Sequence, residues 1–113
     1  MSKHERLEST ILRTLTEIYM RDVKDNNLGF ITITEVRLTN DFSYLTIYYT
    51  ILGQDAKKDA AGRALERSKA FVRSRLASKV QMRKSPSLRF KYDESLDYGN
   101  KIQEGLKKVL PKE

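Results

Sequence analysis

The chain has 113 residues, no cysteine, a single histidine and a formal net charge of +7. That length allows one domain around one core. The missing thiols exclude disulfides and thiolate metal sites, and His4 alone cannot assemble a metal cluster, so no cofactor is implied. The positive charge is local: residues 1–56 carry six Lys or Arg against eight Asp or Glu, and residues 57–113 carry sixteen against seven. Between Lys57 and Lys91 there are twelve basic side chains and only two acids, Asp59 and Glu66. So dense a cationic stretch repels itself unless it faces a polyanion, and nucleic acid is the leading partner ahead of a merely solvated basic surface.

The first element is a helix: Leu7, Ile11, Leu15, Ile18 and Tyr19, with Leu12 alongside, form one apolar stripe, and Ser2 with Glu5 makes a capping box before it. These opening residues lead into amphipathic spacing and not into a signal-peptide core, and no apolar run reaches the roughly 20 residues of a spanning helix. A cytoplasmic protein is expected. Asp25-Asn26-Asn27-Leu28-Gly29 ends the helix with residues that tolerate left-handed geometry. Phe30 to Leu38 reads as a strand whose alternation changes phase between Ile33 and Val36, the mark of a bulge. After a Thr39-Asn40-Asp41 turn, Tyr44 to Ile51 alternates with Leu45, Ile47, Tyr49 and Ile51 on the buried face.

From Ala56 to about Arg83 the pattern is helical, with Ala61, Ala64, Leu65, Val72, Leu76 and Val80 apolar. On one straight helix at about 100° per residue, Arg75 and Lys79 fall in the stripe of Ala61 and Leu65, which would bury two unpaired cations. The expectation is therefore helix, kink, helix, with the change of direction at Ser68-Lys69-Ala70 and with Phe71 packed. An uninterrupted helix from which both cations snorkel is the alternative. Pro86 stops the helix, and Ser87 to Tyr92 alternates as a third strand with Leu88, Phe90 and Tyr92 inward and Arg89 and Lys91 outward. A last helix from Asp93-Glu94-Ser95-Leu96 would bury Ile102, Leu106 and Val109 and end at Pro111.

The order helix, two strands, kinked helix pair, strand resembles the type II K-homology fold. Val23-Lys24-Asp25, Leu28-Gly29-Phe30, Asp41 with Ser43-Tyr44, Tyr48 with Leu52-Gly53, Phe71-Val72-Arg73, Met82-Arg83-Lys84, Pro86, Leu88-Arg89-Phe90 and Tyr92-Asp93-Glu94-Ser95-Leu96 narrow the resemblance to the ribosome-binding factor A family. It runs from about Arg6 to Ile102. The resemblance implies an α+β fold, a type II KH-like single domain over residues 1–113, ordered α-β-β-α-kink-α-β with a C-terminal helix. It also implies a non-enzymatic assembly factor that binds the immature small (30S) ribosomal subunit and its 16S rRNA and assists late maturation. The family's Ala-x-Gly kink corresponds here to Ser68, Lys69 and Ala70, where Ser68 is able to bond back to a helical carbonyl. Some relatives carry a long charged C-terminal tail, which this chain, stopping at Glu113, is expected to lack.

Arg63, Arg67, Lys69, Arg73, Arg75, Lys79, Arg83 and Lys84 are the expected RNA contacts. Several stand one helical turn apart, with only Glu66 and Asp59 nearby to pair with them. Tyr44, Tyr48 and Phe42 are read as core or sheet-surface residues before base-stacking ones, because K-homology domains use their helical side for RNA. Asp93-Glu94 reads as helix-start acids, and His4 as an exposed residue with no nucleophile or second base beside it, so no catalytic site is expected. A monomer with no small-molecule substrate and no membrane partner is expected. The competing classes are a permanent ribosomal component, which would bring disordered basic tails, and a membrane-surface protein, for which the basic helix lacks a free apolar face.

Overall fold

Ser2 closes the N-terminus of the first helix: its hydroxyl accepts from the Glu5 N–H at 3.0 Å, and the Glu5 carboxylate accepts from the Ser2 N–H at 2.9 Å. This pair opens a computed structural model that describes residues 1–28, 31–52 and 55–94, excepting the side chains of 55 and 56. Helix α1 spans Lys3–Arg21 and buries Ile11, Leu15, Ile18 and Tyr19, as the spacing requires. It ends earlier than the Asn pair: Asp22 caps it, and Asn26–Leu28 form a separate 3-10 turn. The expected Phe30 start of the first strand and the expected last helix lie outside the described residues.

Strand β1 (Ile31–Leu38) pairs antiparallel with β2 (Tyr44–Ile51), and β3 (Ser87–Tyr92) pairs parallel with β2, giving the order β1-β2-β3. The phase change in β1 is a bulge: Ile33 faces Tyr49 and Glu35 faces Tyr48, leaving Thr34 without an opposite residue. Alternation is kept on both sides of it, so Val36, Leu38, Leu45, Ile47, Tyr49, Ile51 and Leu88 point to one face. In the turn between β1 and β2, Asp41 accepts from the Thr39 hydroxyl and the Ser43 N–H, while Phe42 takes a left-handed φ of 64°.

Helix α2 (Asp55–Lys79) crosses the same face, with α1 nearest β1 and α2 next to α1 and β3. Ala61, Ala64, Leu65, Val72, Leu76 and Val80 join one cluster with the buried face of the sheet and the stripe of α1. The expected division into two helices is not present: a single α-helix runs through Ser68-Lys69-Ala70 and stops at Lys79, short of Arg83. The phase conflict that suggested a break is resolved in two other ways. At about 100° per residue, the stripe of Ala61, Leu65 and Ser68 is followed by one of Val72, Leu76 and Val80 turned by roughly 50°, a drift that suits a helix lying on a twisted sheet. Arg75 and Lys79 thereby fall together on one margin of the second stripe, where Lys79 is exposed and Arg75 is paired with Asp22.

Two side chains depart from expectation. Phe71 is 46 % exposed rather than packed. His4 is half-buried, and its Nε2–H donates to the Leu38 carbonyl at 2.7 Å while the Leu38 N–H donates to Glu8 at 2.8 Å. Together His4 and Glu8 occupy a backbone donor and acceptor on the outer edge of β1, which would otherwise be open to strand addition.

Candidate nucleic-acid interface

The eight expected RNA-contacting residues do not form one ridge, because the buried stripe of α2 separates them. Arg67 and Arg75 lie on the flank facing the segment after α1. Arg67 donates to Asp25 at 2.9 Å, and Arg75 reaches Asp22 from Nε at 3.3 Å and from Nη2 at 3.1 Å. Asp25 is held below the ordinary carboxylate range, first by the Asn27 N–H and then by Arg67. These partners stand 42 and 53 residues away in sequence, so the residues around α2 carry no sign of them.

Lys69 and Arg73 lie on the opposite flank, toward β3. Lys69 pairs with Glu66 at 2.7 Å and sits 5.9 Å from the centre of the Phe90 ring. Arg73 is tied to the backbone: Nε donates to the Pro86 carbonyl at 2.8 Å and Nη2 to the Ser85 carbonyl at 2.7 Å. It therefore pins the loop that leads from α2 to β3. Arg83 and Lys84 belong to that loop, and the Arg83 guanidinium stacks 4.8 Å from the centre of the Phe42 ring, below the turn between β1 and β2. Arg63, Lys79 and Lys84 are exposed and have no ion-pair partner among the described residues.

Between the two flanks the junction is firmly made. The Ser68 hydroxyl donates to the Leu65 carbonyl at 2.9 Å, the back-bond expected of it, and accepts from the Tyr19 hydroxyl at 3.3 Å. Burial pushes the Tyr19 phenol up from 10.0 to about 12. On the other side of the sheet, Asp93 accepts from Thr34 at 2.5 Å, so this acid is bound to the bulge residue of β1. Among the described residues no group of His, Asp and Glu is placed to hold a metal ion, and no helix is long and apolar enough to cross a membrane.

Taken together, these features define a small α+β domain in which two helices cover one face of a three-stranded sheet and cations crowd the longer helix. The chain belongs to the ribosome-binding factor A family, whose model matches residues 3–106. It is 44 % identical over 99 residues to the ribosome-binding factor A of Staphylococcus saprophyticus, covering 88 % of this chain and 87 % of that one. To the Macrococcus caseolyticus protein of the same name it is 41 % identical over 101 residues, covering 89 % of each. Among solved structures, the crystal structure of ribosome-binding factor A from Thermus thermophilus aligns with a TM-score of 0.72 at 31 % identity, over 80 % of this chain and 97 % of that one. A homology model of the Thermus thermophilus factor, fitted into a cryo-electron microscopy map of its complex with the 30S subunit, aligns with a TM-score of 0.66 at 31 % identity, over 79 % of this chain and 93 % of that one.

Proposed function

We propose that this chain binds the immature small ribosomal subunit through 16S rRNA and assists its late maturation as a non-enzymatic, cytoplasmic factor acting as a monomer. The observation that carries the reading is the concentration of cations on α2 and the loop after it, within a chain of this family. The 30S complex of the Thermus thermophilus relative supports the choice of subunit. Arg63, Lys79 and Lys84 are the first phosphate contacts, since among the described residues they have no ion pair to break. Arg67, Lys69, Arg75 and Arg83 add to them by exchanging their present partners for phosphate, and Arg73 sits beside them while holding the loop.

The mixed sheet and the element order α-β-β-α-β favour a type II KH-like domain, with the unbroken α2 standing where that fold has two helices. Sucrose-gradient cosedimentation tests the reading. The protein is expected with free small subunits and scarce on translating ribosomes, and equal occupancy of both would make it a permanent ribosomal component instead. Purified protein is expected to show no nucleotide hydrolysis and no RNA cleavage. Turnover that copurifies with it and disappears in Asp93→Asn would overturn the non-enzymatic assignment.

A further inference from the structure

We infer that the helix-free face of the sheet is a second nucleic-acid surface, a stacking platform for single-stranded RNA. The strand register places its members. Tyr44, Thr46 and Tyr48 of β2 alternate away from the buried Leu45 and Ile47, flanked by Glu35 and Arg37 of β1 and by Ser87, Arg89 and Lys91 of β3. No aliphatic side chain is among them. Tyr44 is 41 % exposed, and the Arg89 guanidinium lies 3.7 Å from the centre of its ring. Lys91 is directly opposite Tyr48. Each tyrosine therefore has a cation of β3 beside it, the combination that binds a base by its π-face and its phosphate by charge.

Charge complementarity points to a polyanion. Three cations meet two carboxylates on this face, and both are already held, Glu35 by Arg37 and Asp93 by the Thr34 hydroxyl. Arg89 and Lys91 have no ion-pair partner among the described residues. Tyr44 and Tyr48 are separated by about 13 Å along the strand, too far for one base to cover both, so each ring takes its own. Readout by stacking tolerates any sequence, because every base has a π-face. This surface is on the opposite side of the sheet from α2, so the protein would stand between two RNA segments.

The inference relies on the RNA-binding reading for its ligand class alone, and the two fail separately. Affinity of the full chain for a fluorescein-labelled oligouridylate 12-mer is measured by anisotropy at low salt, with circular dichroism of every variant to establish folding. Tyr44→Thr and Tyr48→Thr, which keep β-propensity, are expected each to weaken binding about tenfold with the salt dependence unchanged. Arg63→Gln with Lys79→Gln is expected to weaken binding to small subunits while leaving the tyrosine effect in place. Folded tyrosine variants with wild-type affinity for the 12-mer would overturn the platform, as would an equal loss on a duplex RNA of the same length. Amide shifts at Tyr44 and Tyr48 that follow protein concentration without RNA would assign the face to a second copy of the chain, and would overturn it too.

Discussion

Arg73 and Lys79 carry the same charge on the same helix, yet they have different work to do. Two carbonyls of the loop before β3 depend on the Arg73 guanidinium, and Lys79 ends α2 with its ammonium in solvent. Arg73→Ala is therefore expected to lower stability by about 1–2 kcal/mol, the loss of two charge-assisted hydrogen bonds at a partly exposed site. Lys79→Ala should stay within about 0.5 kcal/mol. Urea denaturation of the two single variants separates them, and equal midpoints would show that the loop does not need Arg73. Tyr19 gives a second test at this scale. Its folded pKa of about 12 lies above the ordinary 10.0, so between those values the unfolded chain loses a proton that the folded chain keeps. Its contribution is complete below pH 10.0 and is lost as pH rises through about 12. Tyr19→Phe is expected to flatten the fall in stability across that window, measured by urea unfolding followed by circular dichroism. Tyr49, also pushed up by burial, leaves part of the slope behind.

At the scale of elements, local pattern was readable wherever the signal and its cause lie within a few residues. The capping box of Ser2 and Glu5, the slip at Thr34 and the clean alternation of β2 are of this kind. The kink was misread because its evidence, the phase of Arg75, has its explanation in Asp22, which no inspection of α2 could supply. His4 was misplaced for the same reason, since its partner Leu38 is brought close only when α1 packs against β1. Among the site residues, type and charge were legible while pairing was not: Asp22 and Asp25 neutralise one flank of α2 from the segment after α1. That arrangement predicts a gain of function. Asp22→Asn with Asp25→Asn removes exposed or half-exposed ion pairs, which solvent screening leaves with little weight in stability. It frees Arg75 and Arg67 for phosphate, so affinity for small subunits should rise severalfold in a filter-binding titration. An unchanged or weakened affinity in a folded double variant would place that flank away from RNA.

For the whole molecule, the salt dependence of binding measures how many cations meet phosphate at once. Each contact with single-stranded RNA contributes about −0.7 to the slope of log K against log salt. If Arg63, Lys79 and Lys84 alone engage, the slope should be about −2, because the other cations keep their protein partners. If all eight expected residues turn to RNA, it should approach about −6. The two flanks of α2 face different ways, so an rRNA that reaches both has to wrap the helix, and the steeper value requires that wrapping. The tethered geometry of Arg73, the pairing of Lys69 with Glu66 and the aspartates opposite Arg67 and Arg75 favour a slope nearer the shallow limit. Freeing the aspartate-bound flank by the Asn substitutions should then steepen it by about 1.4, two contacts' worth. A titration of purified small subunits from low to physiological potassium chloride measures both values. A slope that is flat in the wild type would remove phosphate as the ligand of this surface, and one already near the steep limit would show that RNA outcompetes every acid now paired with it.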